Sequence, residues 1–259
     1  MTNEIKDLLS KIEHNSIFDK HPLYFIGGTA LSTYLDHRIS YDVDIVSTEL
    51  LSIPAIKAFA FPLGARYIPD MKRASVFKIN TGKNLDNFYM KFMLDGIKLE
   101  FVHFEDELRQ SVLINAESTS YTEGSKLNIL SLDSIITLKA IALFDRQKSR
   151  DLFDMAIILE RKLITIEELE RIYSFKQAGD KTLQEYIQSF DPKKDDVGDT
   201  SLDFLPRHEH HKTFVKLTQD QRFDKCKEML LDQYDAKQKE KLKDKQKEVT
   251  SSVKRNKKR

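Results

Sequence analysis

The chain has 259 residues, 40% hydrophobic and 32% charged, with a formal net charge of +1, enough apolar material for one large domain or two modest ones without cross-links. Its single cysteine, Cys226, excludes an internal disulfide, no apolar run approaches the roughly 20 residues that span a bilayer, and Met1-Thr2-Asn3-Glu4-Ile5-Lys6 lacks the basic-then-apolar order of a secretory signal, so a cytoplasmic chain with no membrane partner is expected. The near-neutral charge hides an asymmetry: residues 236–259 hold 11 Lys/Arg against 3 Asp/Glu, the remainder 31 against 38, an acidic body with a basic tail that offers a handle to a polyanion.

Ile5, Leu8, Leu9 and Ile12 recur at helical spacing and predict a first helix over 3–15. Leu23 to Ile26 reads as a short buried strand, broken by Gly27-Gly28, with a helix from Thr29 to Leu35. Asp42 to Val46 is the next strand. A helix follows Ser52 with Pro54 in its first turn, where the missing N–H costs nothing. From about Ala65 to Phe104 the chain reads as strand-rich, and Asp95-Gly96 between two apolar runs is a strong hairpin signal. From Ser131 the pattern turns helical through Ile135, Ile136 and Leu143, again around Asp151 to Glu160, and again after the capping box Thr165-Ile166-Glu167-Glu168. Asp191 to Asp199 is a polar break, and helical character resumes near His208. The Lys/Gln/Glu-rich tail has few apolar residues to bury.

The expected fold class is therefore α/β (α+β), with a mixed sheet flanked by helices followed by a helical C-terminal half. The boundaries expected are a catalytic core over 1–125, a helical domain over 126–235, and a basic, disordered tail over 236–259. Short strands with a tight hairpin favour a mixed sheet over a doubly wound parallel one.

Asp42-Val43-Asp44 is the first candidate site. Side chains two apart on a strand share a face, so Asp42 and Asp44 project together while Tyr41, Val43 and Ile45 face the core. Two carboxylates this close repel unless a cation neutralises them, and Mg²⁺ favours carboxylate and phosphate oxygens. A solvated strand end is the plainer alternative. Gly27-Gly28 ends a strand and opens a helix, where free N–H groups and the helix dipole suit a phosphate, with Thr29 adding a hydroxyl. Alone, such a turn is just a turn. Here it precedes the carboxylate pair by one helix and one loop. Glu100 lies on the face opposite Ile97, Leu99, Phe101 and His103; mid-strand, it needs exposure, a salt bridge or the same metal.

Gly27-Gly28-Thr29-Ala30-Leu31, then Arg38-x-Ser40-x-Asp42-Val43-Asp44, resembles the first motif of the AbiEii/AbiGii-type nucleotidyltransferase toxins, within the DNA polymerase β-like nucleotidyltransferase superfamily. Members carry a second signature, a Lys followed by Arg-x-x-x-Arg-Asp-x-x-Asp. This chain has Lys139, then Arg146-Gln147-Lys148-Ser149-Arg150-Asp151-Leu152-Phe153-Asp154. The resemblance covers about residues 20–160. Glu100 departs from it, since superfamily members more often have Asp there. Physically, Lys139 and Arg146 share a helix face if the helix persists, and Arg150 extends that face. Such a row suits a triphosphate, with Asp151 and Asp154 orienting the basic groups or bonding the nucleotide. An exposed, salt-bridged helix pair is the plainer reading.

The resemblance implies transfer of a nucleoside monophosphate from an NTP. Asp42, Asp44 and Glu100 would hold Mg²⁺, as a pair of ions, with Gly27, Gly28, Thr29 and Ser40 on the phosphates and Lys139 offsetting their charge. Arg38 belongs to the same motif. RNA ends or protein hydroxyls are the implied acceptors, and an antitoxin protein is an implied partner. A non-catalytic nucleotide- or RNA-binding protein on the same fold, and an enzyme modifying a small molecule, are the alternatives. His208-Glu209-His210-His211 has no partner set for a tetrahedral metal site, Cys226 lacks a catalytic context, and no Gly-x-Gly-x-x-Gly or Gly-Lys-Ser/Thr loop is present.

Overall fold

Two compact units emerge in a computed structural model that describes residues 1–176, 181–191, 214 and 216–256. One comprises Met1–Ile141 with Asp199–Lys216, the other Ala142–Gly198 with Leu217–Arg259. The division falls inside a helix, after Ile141, rather than at the expected 125/126 boundary. In chain order the first unit holds α1 (Asn3–Ile12), α2 (Ile17–Lys20), β1 (Leu23–Ile26), α3 (Gly27–Leu35), β2 (Asp42–Ser47), α4 (Ile53–Ala60), β3 (Arg66–Tyr67), α5 (Met71–Thr81), β4 (Tyr89–Leu94), β5 (Ile97–Val102), α6 (Glu107–Ile114), β6 (Ser118–Ser120), β7 (Asn128–Leu130) and most of α7 (Leu132–Asp145). The second holds α8 (Ser149–Glu160), α9 (Ile166–Lys176), α10 (Leu183–Gln188) and α11 (Gln219–Asn256). Among the described residues no helix is long and apolar enough to cross a membrane.

The seven strands form one mixed sheet in the order β3-β4-β5-β2-β1-β7-β6, as the short strands and hairpin predict. β2 runs parallel to β5 and antiparallel to β1, and β1 runs parallel to β7. Alternation decides the faces: Met90, Phe92 and Leu94 of β4 and Ile97, Leu99 and Phe101 of β5 are buried, their neighbours less so. Val43, Ile45 and Phe25 join them, and Phe59 of α4 meets Phe101 edge-on at 5.9 Å. Each such side chain, fully buried, contributes roughly 1.5–3 kcal/mol. Tyr41, expected in this core, lies just before β2 and is exposed. Asp95 and Gly96 both take positive φ (51° and 79°), as a two-residue hairpin turn matched to the strand twist requires.

The stretch expected to be strand-rich contains α5 instead. Asp70 caps it by accepting the Arg73 N–H at 3.0 Å, and Gly82 ends it at φ 72°. No residue of α5 is buried, so the periodicity that reveals most helices is absent from its sequence.

In the second unit α8 is buried almost all round, from Asp151 to Leu159. The expected capping box forms at α9: Thr165 and Glu168 exchange backbone-to-side-chain bonds of 2.9 and 3.2 Å. Phe144, Tyr173 and Tyr186 cluster with centroids 5.1–5.4 Å apart. The expected frayed tail is helical through Asn256, as the end of the 38-residue α11. Cys226, Leu230 and Tyr234 are buried along one side of its upstream half, and Lys237 and Lys241 reach Glu167 and Glu170 of α9 at 2.9 and 3.4 Å. Part of the basic charge is thus neutralised within the unit. His208-Glu209-His210-His211 and nearly all of the polar break lie outside the described residues.

Candidate active site

Strand register gathers the carboxylates. Asp42 stands opposite Lys98 and Asp44 opposite Glu100 on the parallel pair β2·β5. Because side chains alternate, all four project from the face opposite Val43, Ile45, Leu99 and Phe101, on strands about 4.8 Å apart. Tyr89 and Lys91 extend that face across the β4·β5 hairpin, where Lys91 pairs with Glu100 and Tyr89 with Val102.

The glycine turn is built around Asp44. Gly27 sits at φ 83° where β1 becomes α3, and a Cβ on it would overlap the Asp44 carboxylate. A Cβ on Gly28 would lie 2.9 Å from both Arg38 Nη2 and Ser40 Oγ, closer than side chains tolerate. The two glycines therefore let the start of α3 close on β2 and its preceding loop. Thr29 and Ser40, expected on phosphates, and Arg38 of the same motif lie packed in and beneath this turn. The buried Thr29 hydroxyl donates to the Asp42 carbonyl. Arg38, 1% exposed, lies beneath the turn and donates to the Ile39 carbonyl at 3.1 Å. Ser40 is buried beside it. Ser32 ties the loop down further, its single hydroxyl proton shared between the Gly28 and Arg38 carbonyls at 2.8 and 2.9 Å.

Two contacts missed by sequence reasoning lie on this face. Lys98 Nζ lies 3.1 and 3.2 Å from the two oxygens of Asp42. The Tyr89 hydroxyl donates to Glu100 Oε1 at 2.6 Å. Burial, then the Glu100 bond, push the Tyr89 phenol well above its ordinary pKa, so it stays a donor across the physiological range. The Arg73 guanidinium of α5 stacks over the Tyr89 ring, 4.8 Å from its centre. Lys98 was legible as the residue two before Glu100. Tyr89 was legible by counting outward from the Asp95-Gly96 turn.

No three His, Cys, Asp or Glu side chains among the described residues stand close enough together to hold an ion as placed. The chemistry of the set still fits a hard divalent cation. Its donors are all carboxylate oxygens, and the Lys98 ammonium bridging both Asp42 oxygens marks a position where the face takes up positive charge.

The second signature divides between the units. Lys139 is buried on α7 in the first. Arg146, Arg150, Asp151 and Asp154 belong to the second. The continuous basic row expected along one helix does not form, because α7 stops at Asp145 and Lys148 is extended before α8 begins. Arg146 instead turns to Asp151, pairing at 2.7 and 3.2 Å through Nε and Nη2. Asp151 and Asp154 are fully buried in α8, and Arg150 is half-buried in its first turn. Cys226 is buried from α11, its thiol pushed well up by burial and next by Asp154, which makes it inert as a nucleophile.

A mixed sheet that presents a glycine turn, an Asp-x-Asp strand and a register-matched glutamate on one face has the ground plan of a phosphoryl-transfer protein. The particular family follows from comparison. Residues 13–245 match the family described as nucleotidyl transferase AbiEii toxin, type IV TA system, and the chain belongs to it. An uncharacterized protein of Aquifex aeolicus (strain VF5) is 25% identical over 176 residues, 68% of this chain and 75% of that protein. A crystallised protein from H. pylori, described as a candidate nucleotidyltransferase, aligns with 93% of this chain and 99% of its own at 17% identity and a TM-score of 0.47. ANT(2")-Ia in complex with adenylyl-2"-tobramycin aligns with 68% of this chain and 97% of its own at 14% identity and a TM-score of 0.45.

Proposed function

We propose that this chain is a Mg²⁺-dependent nucleotidyltransferase that moves a nucleoside monophosphate from an NTP to an acceptor hydroxyl on an RNA end or a protein side chain. The observation that carries the reading is the register of Asp44 with Glu100, with Asp42 two residues along the same face. The three supply an all-oxygen donor set on one face, the chemistry that suits a hard divalent cation once their side chains close on it. Asp42, Asp44 and Glu100 would hold the metal, which when bound would polarise the acceptor oxygen and offset charge on the leaving pyrophosphate.

The chain's own residues do the rest. Gly27 and Gly28 bring the positive end of α3 up to Asp44 with no side chain between, which suits seated phosphates. Thr29 holds that turn against β2 through the Asp42 carbonyl, with Arg38 and Ser40 packed against Gly28. Lys139, Arg146 and Arg150 are assigned to the triphosphate by the family signature, with Asp151 orienting the Arg146 guanidinium and Asp154 completing the set. The acceptor oxygen bonds to the α-phosphorus as the bond to the β-phosphate breaks, and the acceptor proton passes to solvent. Membership of a toxin family calls for a cognate antitoxin.

The test is incubation with Mg²⁺, each α-labelled NTP in turn, and total cellular RNA, with Asp44→Asn as the folded control. Label on RNA or protein from the wild type, lost in the variant and on chelation, is the expected result. Nucleotide binding without transfer to any acceptor would sink the enzyme reading in favour of a binding protein on this fold.

A further inference from the structure

Glu100 poses a problem that Asp42 and Asp44 do not. A glutamate has one more torsion than an aspartate, and ordering it costs more side-chain entropy. Among the described residues its one hydrogen-bond partner is Tyr89, through Oε1 at 2.6 Å, and Oε2 has none. Lys91 stands directly across the β4·β5 ladder from Glu100, where a salt bridge would be expected, yet the carboxylate is held by the diagonal neighbour instead. Tyr89 in turn is braced from a separate element by Arg73, stacked 4.8 Å over its ring.

We propose that Tyr89 is a positioning residue, which restrains the Glu100 side chain through Oε1 and leaves Oε2 for a divalent cation on which Glu100, Asp42 and Asp44 close when it binds. This rests on the reading of Glu100 as a ligand. The hydroxyl offsets part of the cost of ordering the longer side chain before the ion arrives. Arg73 acts one step further out, by keeping the ring in place.

Mn²⁺ binding to the full chain, followed by electron paramagnetic resonance in the absence of nucleotide, tests this apart from activity. Tyr89→Phe removes one hydroxyl and should weaken Mn²⁺ binding about three- to tenfold, the worth of one well-placed hydrogen bond. Repeated in a Glu100→Gln background, the same substitution should change nothing, because the group it acts through is gone. A general effect on the fold would appear in both backgrounds, and equal losses in both would overturn the proposal. Wild-type affinity in Tyr89→Phe alongside a weakened Glu100→Gln would also overturn it, while leaving Glu100 as a ligand. Wild-type affinity in Glu100→Gln would remove Glu100 from the site and the proposal with it. If Tyr89→Phe does not fold, Arg73→Met takes its place, keeping the hydroxyl but freeing the ring; a smaller loss confined to the Glu100 background is then the supporting result, and any other pattern refutes it.

Discussion

Replacing Gly27 with alanine combines two penalties that a second glycine separates. At φ 83° any residue with a Cβ is strained, by about 1–2 kcal/mol. For a chain of this size that corresponds to a fall in the unfolding midpoint of roughly 2–8 °C. The Cβ would in addition overlap the Asp44 carboxylate, which must move by the order of 1 Å to restore contact distance. A misplacement of that size costs about a hundredfold in rate where geometry governs the chemistry. Gly96 has nearly the same φ, 79°, and a Cβ there would meet nothing within 4 Å. Gly96→Ala should therefore show a similar thermal penalty and retain transfer within a few-fold. Label transfer measured well below both midpoints, beside thermal unfolding of each variant, gives the comparison. Equal losses of transfer in the two variants, or wild-type transfer by Gly27→Ala, would refute the argument that Gly27 exists to make room for Asp44.

Lys98→Met removes the cation that shares Asp42 and should tighten Mn²⁺ binding by at most about fivefold, because so exposed a pair is worth no more than ~1 kcal/mol; weaker binding, read by the same resonance titration, would show Lys98 to be a helper rather than a competitor. Asp151→Asn breaks a pair that is fully buried on the carboxylate side and half-open on the arginine side, and should cost about 1–3 kcal/mol in urea unfolding, below the figure for a wholly buried pair. Thr165→Ala should cost about 0.5–2 kcal/mol through loss of the α9 cap, measured the same way. The Thr165 backbone N–H, then its hydroxyl, hold the Glu168 carboxyl below its ordinary value of 4.5. Its contribution is therefore fully present above that value and is lost as pH falls through the lower folded value. Thr165→Ala keeps the backbone N–H and loses the hydroxyl, so it should reduce but not abolish this part of the stability profile between neutral and acid pH, and an unchanged profile would remove the hydroxyl from the account.

Local chemistry carried much of this protein without help from tertiary structure. Two-residue alternation marked Asp42 and Asp44 as sharing a face, and placed Glu100 opposite a buried row. The Asp95-Gly96 turn and the Thr165 capping box are short-range devices, complete within a few residues, and both formed as read. The family motif on Gly27 to Asp44 was legible because its spacing is fixed by one strand, one helix and one loop. Other features depend on what the chain meets across space. That β5 lies beside β2, in the register that matches Glu100 to Asp44, is a long-range pairing that alternation alone does not specify. α5 buries nothing, so its sequence holds no periodic signal and only its Asp70 and Gly82 ends define it. Thr29 and Ser40 read as donors to phosphate and Arg38 as their motif neighbour; only the closure of α3 onto β2 shows that all three are buried and that the Thr29 hydroxyl bonds the Asp42 carbonyl. The basic row from Lys139 to Arg150 depended on one helix continuing, and the helix stops where Arg146 finds the buried Asp151 carboxylate. The sequence alone settled which residues are chemically able to build the site; which of them face it together was decided by strand pairing, because a sheet joins residues that lie more than fifty positions apart.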